Sequence, residues 1–274
     1  MEIKGVEYYL YNGFHNSFIF FDGKELESKD IDIKESVKYY CDLYNLDGLI
    51  VTRKIKQNEI KIKIYNRDSS VAPMCGNGIR CAIRYAYERG WVNYNENLIV
   101  HTDTGLRDAI IISNHPFLTK VNLGKPSFNP ILLDLDSNDE YFNKELDVDG
   151  KNIKISAIFM CTHHCVVISS CKGEFEEYAE KIEKHPLFKR GVNVDFVNII
   201  DKDNIFVHTY ERGVGWTLAC GTGGCASFYV LNKLGLVNNK VCVNYIDGKM
   251  IAENVNDEVV MTGTADFDMY VSNN

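Results

Sequence analysis

The chain has 274 residues, 45% hydrophobic and 25% charged, with a formal net charge of −8; this is the composition of a folded globular protein, long enough for two domains. The acidic balance argues against nucleic acid as a partner, which asks for a basic face. No stretch has the length of an export signal or of a membrane span, which needs ~20 apolar residues, so a membrane partner is excluded and a cytoplasmic location is expected.

From the N-terminus, "VEYYLY", "SFIFFDG", "GLIVTR" and "IKIKIYN" alternate apolar and polar residues and predict strands, with "FDGKE" and "NLDG" as turns. Between them "DIKESVKYYCDLY" has helical spacing, with Ile33, Val37, Tyr40 and Cys41 on one side. The segment "PMCGNGIRCAIRYAYERG" then opens on a cysteine-led turn and predicts a helix from Gly78 to Arg89, stopped by Gly90. Strands "NLIVHTDTG", "RDAIIIS" and "LTKVNLG" follow.

The segment "GKPSFNPILLDLDSNDEY" holds two of the five prolines and a cluster of acids, and marks a domain boundary at Gly124. Beyond it the plan repeats. Strands "ISAIFM" and "HCVVIS" lead to a helix over "GEFEEYAEKIEKHPLF", then to strands "VNVDFVNII" and "NIFVHTYERG". A second cysteine-led turn, in "TLACGTGGCASFYVLNKLG", predicts a helix from Gly223 to Leu234, stopped by Gly235. Strands "KVCVNY", "KMIAEN" and "EVVMTGTADFDMYV" end the chain. Two similar α/β halves, each with many strands around one central helix, account for this order most economically.

The repeated turn has several readings. Gly-x-Gly before a helix permits a tight backbone turn, and a buried Cys is a small hydrophobe, so both turns are possible packing features. "GTGGCA" fits a dinucleotide fingerprint, with Asp247 about 20 residues on, but "GNGIRC" does not. "CTHHC", residues 161–165, concentrates four possible metal ligands, yet Cys75/Cys81 and Cys220/Cys225 are spaced too widely for a second zinc pair. No metal is expected. All nine cysteines are expected to be thiols rather than disulfides in a reducing compartment. The fourth reading is acid–base chemistry. The first turn of a helix presents unpaired N–H groups and the positive end of its dipole, which lower the pKa of a nearby thiol and hold a carboxylate. Two such turns facing one another would set a thiol on each side of a carbon next to a carboxylate, the geometry for inverting that carbon.

"MCGNGIRC" and "YERGVGWTLACGTGGCAS" closely resemble the two signature segments of the diaminopimelate epimerase family, and "YNGFHNSFIFFDG", "YNRDSSVAPMCGNG", "PLFKRGVNVDFV" and "VVMTGTADF" resemble its flanking segments in the same order. The resemblance implies two pseudo-symmetric α/β (α+β) domains, each a strongly curved, mostly antiparallel sheet around a central helix. One would span residues 1–123 and carry Cys75, with a C-terminal strand at about 264–274 joining it; the other would span 124–263 and carry Cys220. Cys75 and Cys220 would be the acid and base, exchanging roles with substrate handedness, with no cofactor. His164 would assist the first thiol and Glu211 the second. The amides of Gly76, Asn77, Gly221 and Thr222 would hold the reacting carboxylate, and Asn16, Asn66, Asn193, Glu211 and Arg212 the far end of the substrate. A homodimer is also implied.

Departures from the family pattern fall near the substrate. His15-Asn16-Ser17 stands for the usual Gly-Asn-Asp, Thr162 for an asparagine, and Trp216 for a glutamate; the turn after "CD" is shortened to "LYNLDG". His15, Thr162 and Trp216 are therefore candidate determinants of specificity. They keep open a different amino-acid substrate, such as histidine or lanthionine, beside diaminopimelate itself. A non-catalytic amino-acid-binding protein is the alternative from another class: it would need the turn glycines but not both thiols.

Overall fold

The computed structural model describes residues 3, 5–14, 16–27, 29 and 31–271. The chain divides into two units, Met1–Asn122 with Thr262–Asn274, and Leu123–Met261.

In the first unit the alternating N-terminal segments form a hairpin, β1 (Tyr8–Gly13) against β2 (Asn16–Asp22). A short helix α1 (Gly23–Glu27) and the longer α2 (Ile33–Tyr44) cross over to β3 (Gly48–Lys56), which runs parallel to β2. Such a parallel pair needs a crossover of this length. Asp32 caps α2, its Oδ1 accepting from the N–H groups of Lys34 and Glu35. The expected face of α2 is buried: Val37, Tyr40 and Cys41 pack with Tyr8, Ile19, Phe21 and Leu49. β4 (Glu59–Asn66) pairs antiparallel with β3, then with the two-residue β5 (Val71–Ala72). Helix α3 (Gly76–Glu88) returns the chain to β6 (Asn97–Thr102), parallel to β4, and β7 (Gly105–Asn114) and β8 (Phe117–Asn122) complete a meander.

The second unit repeats this order. β9 (Lys144–Val148) flanks β10 (Lys151–Met160), which pairs antiparallel with β11 (Thr162–Ser169). β12 (Asn193–Ile199) lies parallel to β11, as β3 does to β2. β13 (Asn204–Glu211) is antiparallel to β12 and to the short β14 (Gly215–Thr217). Helix α5 (Gly221–Lys233) then leads to β15 (Lys240–Asn244), parallel to β13, and β16 (Lys249–Val255) follows. β17 (Glu258–Thr264) carries the chain back to the first unit, where β18 (Asp266–Val271) pairs antiparallel with β1.

In each unit the cysteine-led helix is central. α3 packs against β1, β2, β3, β4 and β8, and α5 against β10, β11, β12, β13, β15 and β16. A single helix reaches that many strands only because each sheet curves around it. α5 is buried from Gly221 to Leu231 without a polar face, which suits a helix enclosed by its sheet.

Two helices differ from the sequence expectation. α3 and α5 begin two residues earlier, because the Gly-x-Gly turns are themselves the first helical turns. The helix expected over "GEFEEYAEKIEKHPLF" is only a 3-10 turn, Glu176–Tyr178, and the five-residue α4 (Ala179–Glu183). Positive φ at Gly173 and Phe175 prevents an earlier start, and Pro186 disfavours helical backbone at His185.

Candidate active site

The early start of α3 makes Cys75 its N-cap, with extended backbone (φ −140°, ψ 120°). Its Sγ accepts from the N–H of Gly78 at 3.4 Å, and its thiol donates to Oδ1 of Asn16, at the start of β2, at 3.6 Å. The next two amides, of Gly76 and Asn77, have no acceptor within the helix. The turn is gripped from below by Arg80, which is fully buried. Its guanidinium donates to the carbonyl of Gly76 (3.0 Å), to Oδ1 of Asn77 (2.8 Å) and to the carbonyl of Thr264 (2.8 Å), and lies 4.7 Å from the ring of Phe14. Gly13 and Gly263 leave room for it: a Cβ on either would lie 3.3 Å or 3.0 Å from a guanidinium nitrogen. Asn66, at the end of β4, closes the turn to β5, its Nδ2 donating to Oγ of Ser70 at 3.0 Å. His15 lies outside the described residues.

Cys220 is the N-cap of α5 in the same extended conformation (φ −124°, ψ 109°). Gly221 and Thr222 present the two amides that correspond to those of Gly76 and Asn77. Tyr245, which follows β15, donates its hydroxyl to the carbonyl of Cys220 at 3.0 Å. The surroundings of this thiol are anionic. Glu211, the last residue of β13, accepts from Oγ1 of Thr217 (3.0 Å), and its carboxylate acts on the Cys220 thiol through its charge. On β12, Asp195 is fully buried. Its Oδ2 lies 2.7 Å from Nδ1 of His164 on β11, and its Oδ1 accepts from Oγ1 of Thr209 at 2.8 Å. Nε2 of His164 is 3.1 Å from Oγ1 of Thr222, which is 3.6 Å from Sγ of Cys220. The resemblance associates His164 with the first cysteine; within its own unit the imidazole is joined to the second.

Burial pushes the Cys220 thiol well above the ordinary cysteine range, and the carboxylates of Glu211 and Asp195 push it the same way. Burial also raises Glu211. Each group therefore favours a neutral partner, and Cys220 is held as a thiol, the acid form.

The residues expected at the far end of the substrate are partly gathered. Asn193 opens β12, donates from Nδ2 to Oγ1 of Thr162 (3.2 Å) and accepts at Oδ1 from the main-chain N–H of Arg212 (2.9 Å). The guanidinium of Arg212 is exposed and donates to the carbonyl of Arg190 at 3.1 Å. Trp216 is separate. It pairs with Tyr210 across β13 and β14, stacks on His208 at 4.1 Å and meets Phe196 at 5.7 Å. Strand alternation puts that aromatic cluster on one sheet face and Asp195, Thr209, Glu211 and Thr217 on the other.

The four candidate ligands of "CTHHC" do not converge. Sγ of Cys161 donates to the carbonyl of Leu123, Cys165 belongs to the apolar core, His163 lies beside Phe159, and His164 faces Asp195. Among the described residues no group of three His, Cys, Asp or Glu side chains is arranged to hold a metal ion. No helix among them is long and apolar enough to cross a membrane.

Arg80, Asp195, Thr209 and Tyr245 were not singled out in the sequence. A charged residue inside the apolar run "VNVDFVNII", where Val194, Phe196 and Val197 are all buried, was the available signal for Asp195.

The architecture is shared with solved proteins: a phenazine biosynthesis protein of the PhzF family from Bacillus anthracis matches with a TM-score of 0.69 at 13% identity, over 98% of this chain and 99% of that one. This places the chain in the two-domain epimerase-like fold class. The sequence is more specific. The chain belongs to the diaminopimelate epimerase family, whose profile, described as Diaminopimelate epimerase, matches residues 8–129 and 157–267. A diaminopimelate epimerase from Clostridium perfringens is 39% identical over 81% of this chain and 81% of its own length. One from Caldanaerobacter subterraneus is 36% identical over 88% and 89%.

Proposed function

We propose that this chain epimerises diaminopimelate from the LL to the meso form, without pyridoxal phosphate or a metal, by passing protons at one α-carbon between Cys75 and Cys220. One thiolate removes the α-proton and the other thiol delivers a proton to the opposite face; the roles reverse with the substrate's handedness. The amides of Gly76, Asn77, Gly221 and Thr222 receive the reacting carboxylate and stabilise the charge that develops as the proton leaves. His164 and Glu211 set the protonation of the thiols. Asn16, Asn66, Asn193, Glu211 and Arg212 receive the distal amino-acid group, with Arg212 as the directional carboxylate partner. Each unit is thus an epimerase-like half that contributes one thiol.

The observation that carries this reading is the N-cap position of both cysteines. Cys75 and Cys220 each stand directly ahead of two amides that have no helical acceptor, in units of matching strand order. Membership of the family supplies the substrate. The enzyme would act in the cytoplasm as a homodimer, making a precursor of lysine and peptidoglycan.

A second reading changes only the substrate. Thr162 replaces an asparagine and accepts from Asn193, so the distal end of the site differs in polarity from the family pattern. Histidine and lanthionine are the alternatives. Chiral chromatography after incubation with LL-diaminopimelate, and then with a panel of L-amino acids, separates the readings. Turnover of diaminopimelate above all others is expected. No turnover of it, with rapid turnover of histidine, would overturn the substrate. Calorimetric binding of amino acids with no loss of α-tritium would point instead to a binding protein.

A further inference from the structure

Asp195, His164 and Thr222 form a line through the buried interior of the second unit that ends at Cys220. Asp195 and His164 are fully buried and Thr222 nearly so. Asp195 Oδ1 is already occupied by the hydroxyl of Thr209, which leaves Oδ2 facing Nδ1 of His164 at 2.7 Å. A carboxylate oxygen accepts, so a neutral imidazole in this place carries its one proton on Nδ1. Nε2 is then an acceptor. The hydroxyl 3.1 Å away, of Thr222, is the group that can fill it. Once its proton is committed to Nε2, Thr222 Oγ1 can only accept from the thiol 3.6 Å away.

We propose that Asp195 is a positioning residue that fixes the polarity of this line, so that Thr222 presents an acceptor to the Cys220 thiol and aims its proton. This rests on reading Cys220 as an acid/base residue. The line does not move a proton to Asp195; it sets the direction of each hydrogen bond. The location of Asp195 is enforced by Gly223, where any side chain would collide with Oδ1. Among the described residues Cys220 is also faced by Glu211 from β13, by the N–H of Gly223 and by the hydroxyl of Tyr245, which holds its carbonyl. The two ring nitrogens of His164 face Asp195 and Thr222, and Glu211 acts on the imidazole through its charge.

Asp195→Asn tests the proposal without changing the size of the side chain. Thr209 still donates to the amide oxygen, so the amide nitrogen faces Nδ1 and must donate. The polarity then reverses: Nε2–H donates to Thr222, and the Thr222 hydroxyl turns its proton to sulfur. Nitrogen-15 NMR of histidine-labelled protein, assigned with His164→Gln, is expected to show the proton on Nδ1 in the wild type and on Nε2 in Asp195→Asn. The alkylation midpoint of Cys220, followed by mass spectrometry, is expected to fall by about one pH unit. The kcat is expected to fall at least ~tenfold, with KM little changed. Thr222→Val is the second variant: it leaves His164 protonated on Nδ1 but removes the thiol's acceptor, so the midpoint again falls.

An unchanged tautomer in folded Asp195→Asn would overturn the proposal. So would a midpoint that rises in Thr222→Val, because the hydroxyl would then be donating to sulfur in the wild type. Both readouts are made without substrate. They hold or fail whichever amino acid is turned over, whereas wild-type enzyme inert on every amino acid would sink the functional reading instead.

Discussion

A Cβ placed on Gly223 would lie 2.1 Å from Oδ1 of Asp195 and 3.0 Å from Oγ1 of Thr209. The first turn of α5 can approach the buried carboxylate only because this position has no side chain. In α3 the corresponding residue is Gly78, whose Cβ would meet the Cδ1 end of Ile50 at 2.9 Å. An isoleucine tip can rotate away; a carboxylate bonded on both oxygens cannot. Gly223→Ala is therefore expected to be destabilised by more than the ~1–3 kcal/mol usual for overpacking, and Gly78→Ala to fall within it. Urea unfolding of the two variants checks the order. Equal midpoints would contradict it.

The fully buried guanidinium of Arg80 donates to the carbonyl of Thr264 and, in the turn that follows Cys75, to the carbonyl of Gly76 and Oδ1 of Asn77. Arg80→Met would take a charged donor away from the carbonyls of Gly76 and Thr264 and from Oδ1 of Asn77. The expected loss is on the order of 3 kcal/mol, since bonds to charged groups contribute about 1.5–3 kcal/mol each and part is recovered by relaxation. Arg80→Lys should recover some of it. A Met variant that unfolds at the wild-type urea midpoint would contradict this role.

The state of Cys220 gives a pH dependence. Its folded-state pKa is raised by burial and by the carboxylates of Glu211 and Asp195. The thiol is thus retained through neutral pH and is lost only as the pH rises through the folded value, above the ~8.5 of a free cysteine. The same sign holds for stability: the contribution is present below the unfolded pKa and is lost as the pH rises through the folded one. Glu211→Gln removes one of the charges that raise it. The basic limb of the kcat/KM profile is expected to move to lower pH, and an unmoved limb would contradict the assignment.

The substrate-facing departures are expected to be unequal. Trp216 stacks on His208, on the sheet face opposite Glu211, so Trp216→Ala should change KM for diaminopimelate less than ~2-fold. Thr162 accepts from Asn193, which also fixes the main chain of Arg212. Thr162→Val leaves that amide short of an acceptor and should raise KM about 5-fold, the size of one hydrogen bond of ~1 kcal/mol. The reverse order in steady-state kinetics would relocate the specificity determinant.

Much of the fold was legible in residues 1–66, where apolar alternation and the one-sided helix "DIKESVKYYCDLY" translate directly into β1–β4 and α2. The central helices were legible in place but not in their first turn. Glycine reads as a turn former, and only packing against Ile50, or against Asp195 and Thr209, turns Gly78 and Gly223 into helical residues. The short α4 was misjudged because glutamate-rich spacing suggests a helix, while positive φ at Phe175 and the His185-Pro186 pair confine it. Of the site, the two cysteines were visible from their repeated turn. Asp195 and Arg80 were not, because the partners that make a buried charge tolerable lie on other elements: His164 on β11 and Thr209 on β13, or Gly13 on β1 and Thr264 at the end of β17. Trp216 stood beside the second motif in sequence, yet strand alternation turns it to the other face.

The central claim is that two thiols act on one α-carbon, and heavy water tests it most directly. LL-diaminopimelate incubated with the enzyme in deuterium oxide should yield meso product carrying deuterium at the inverted carbon, and Cys75→Ala and Cys220→Ala should each abolish inversion. Product free of α-deuterium, or wild-type turnover in either single variant, would contradict it.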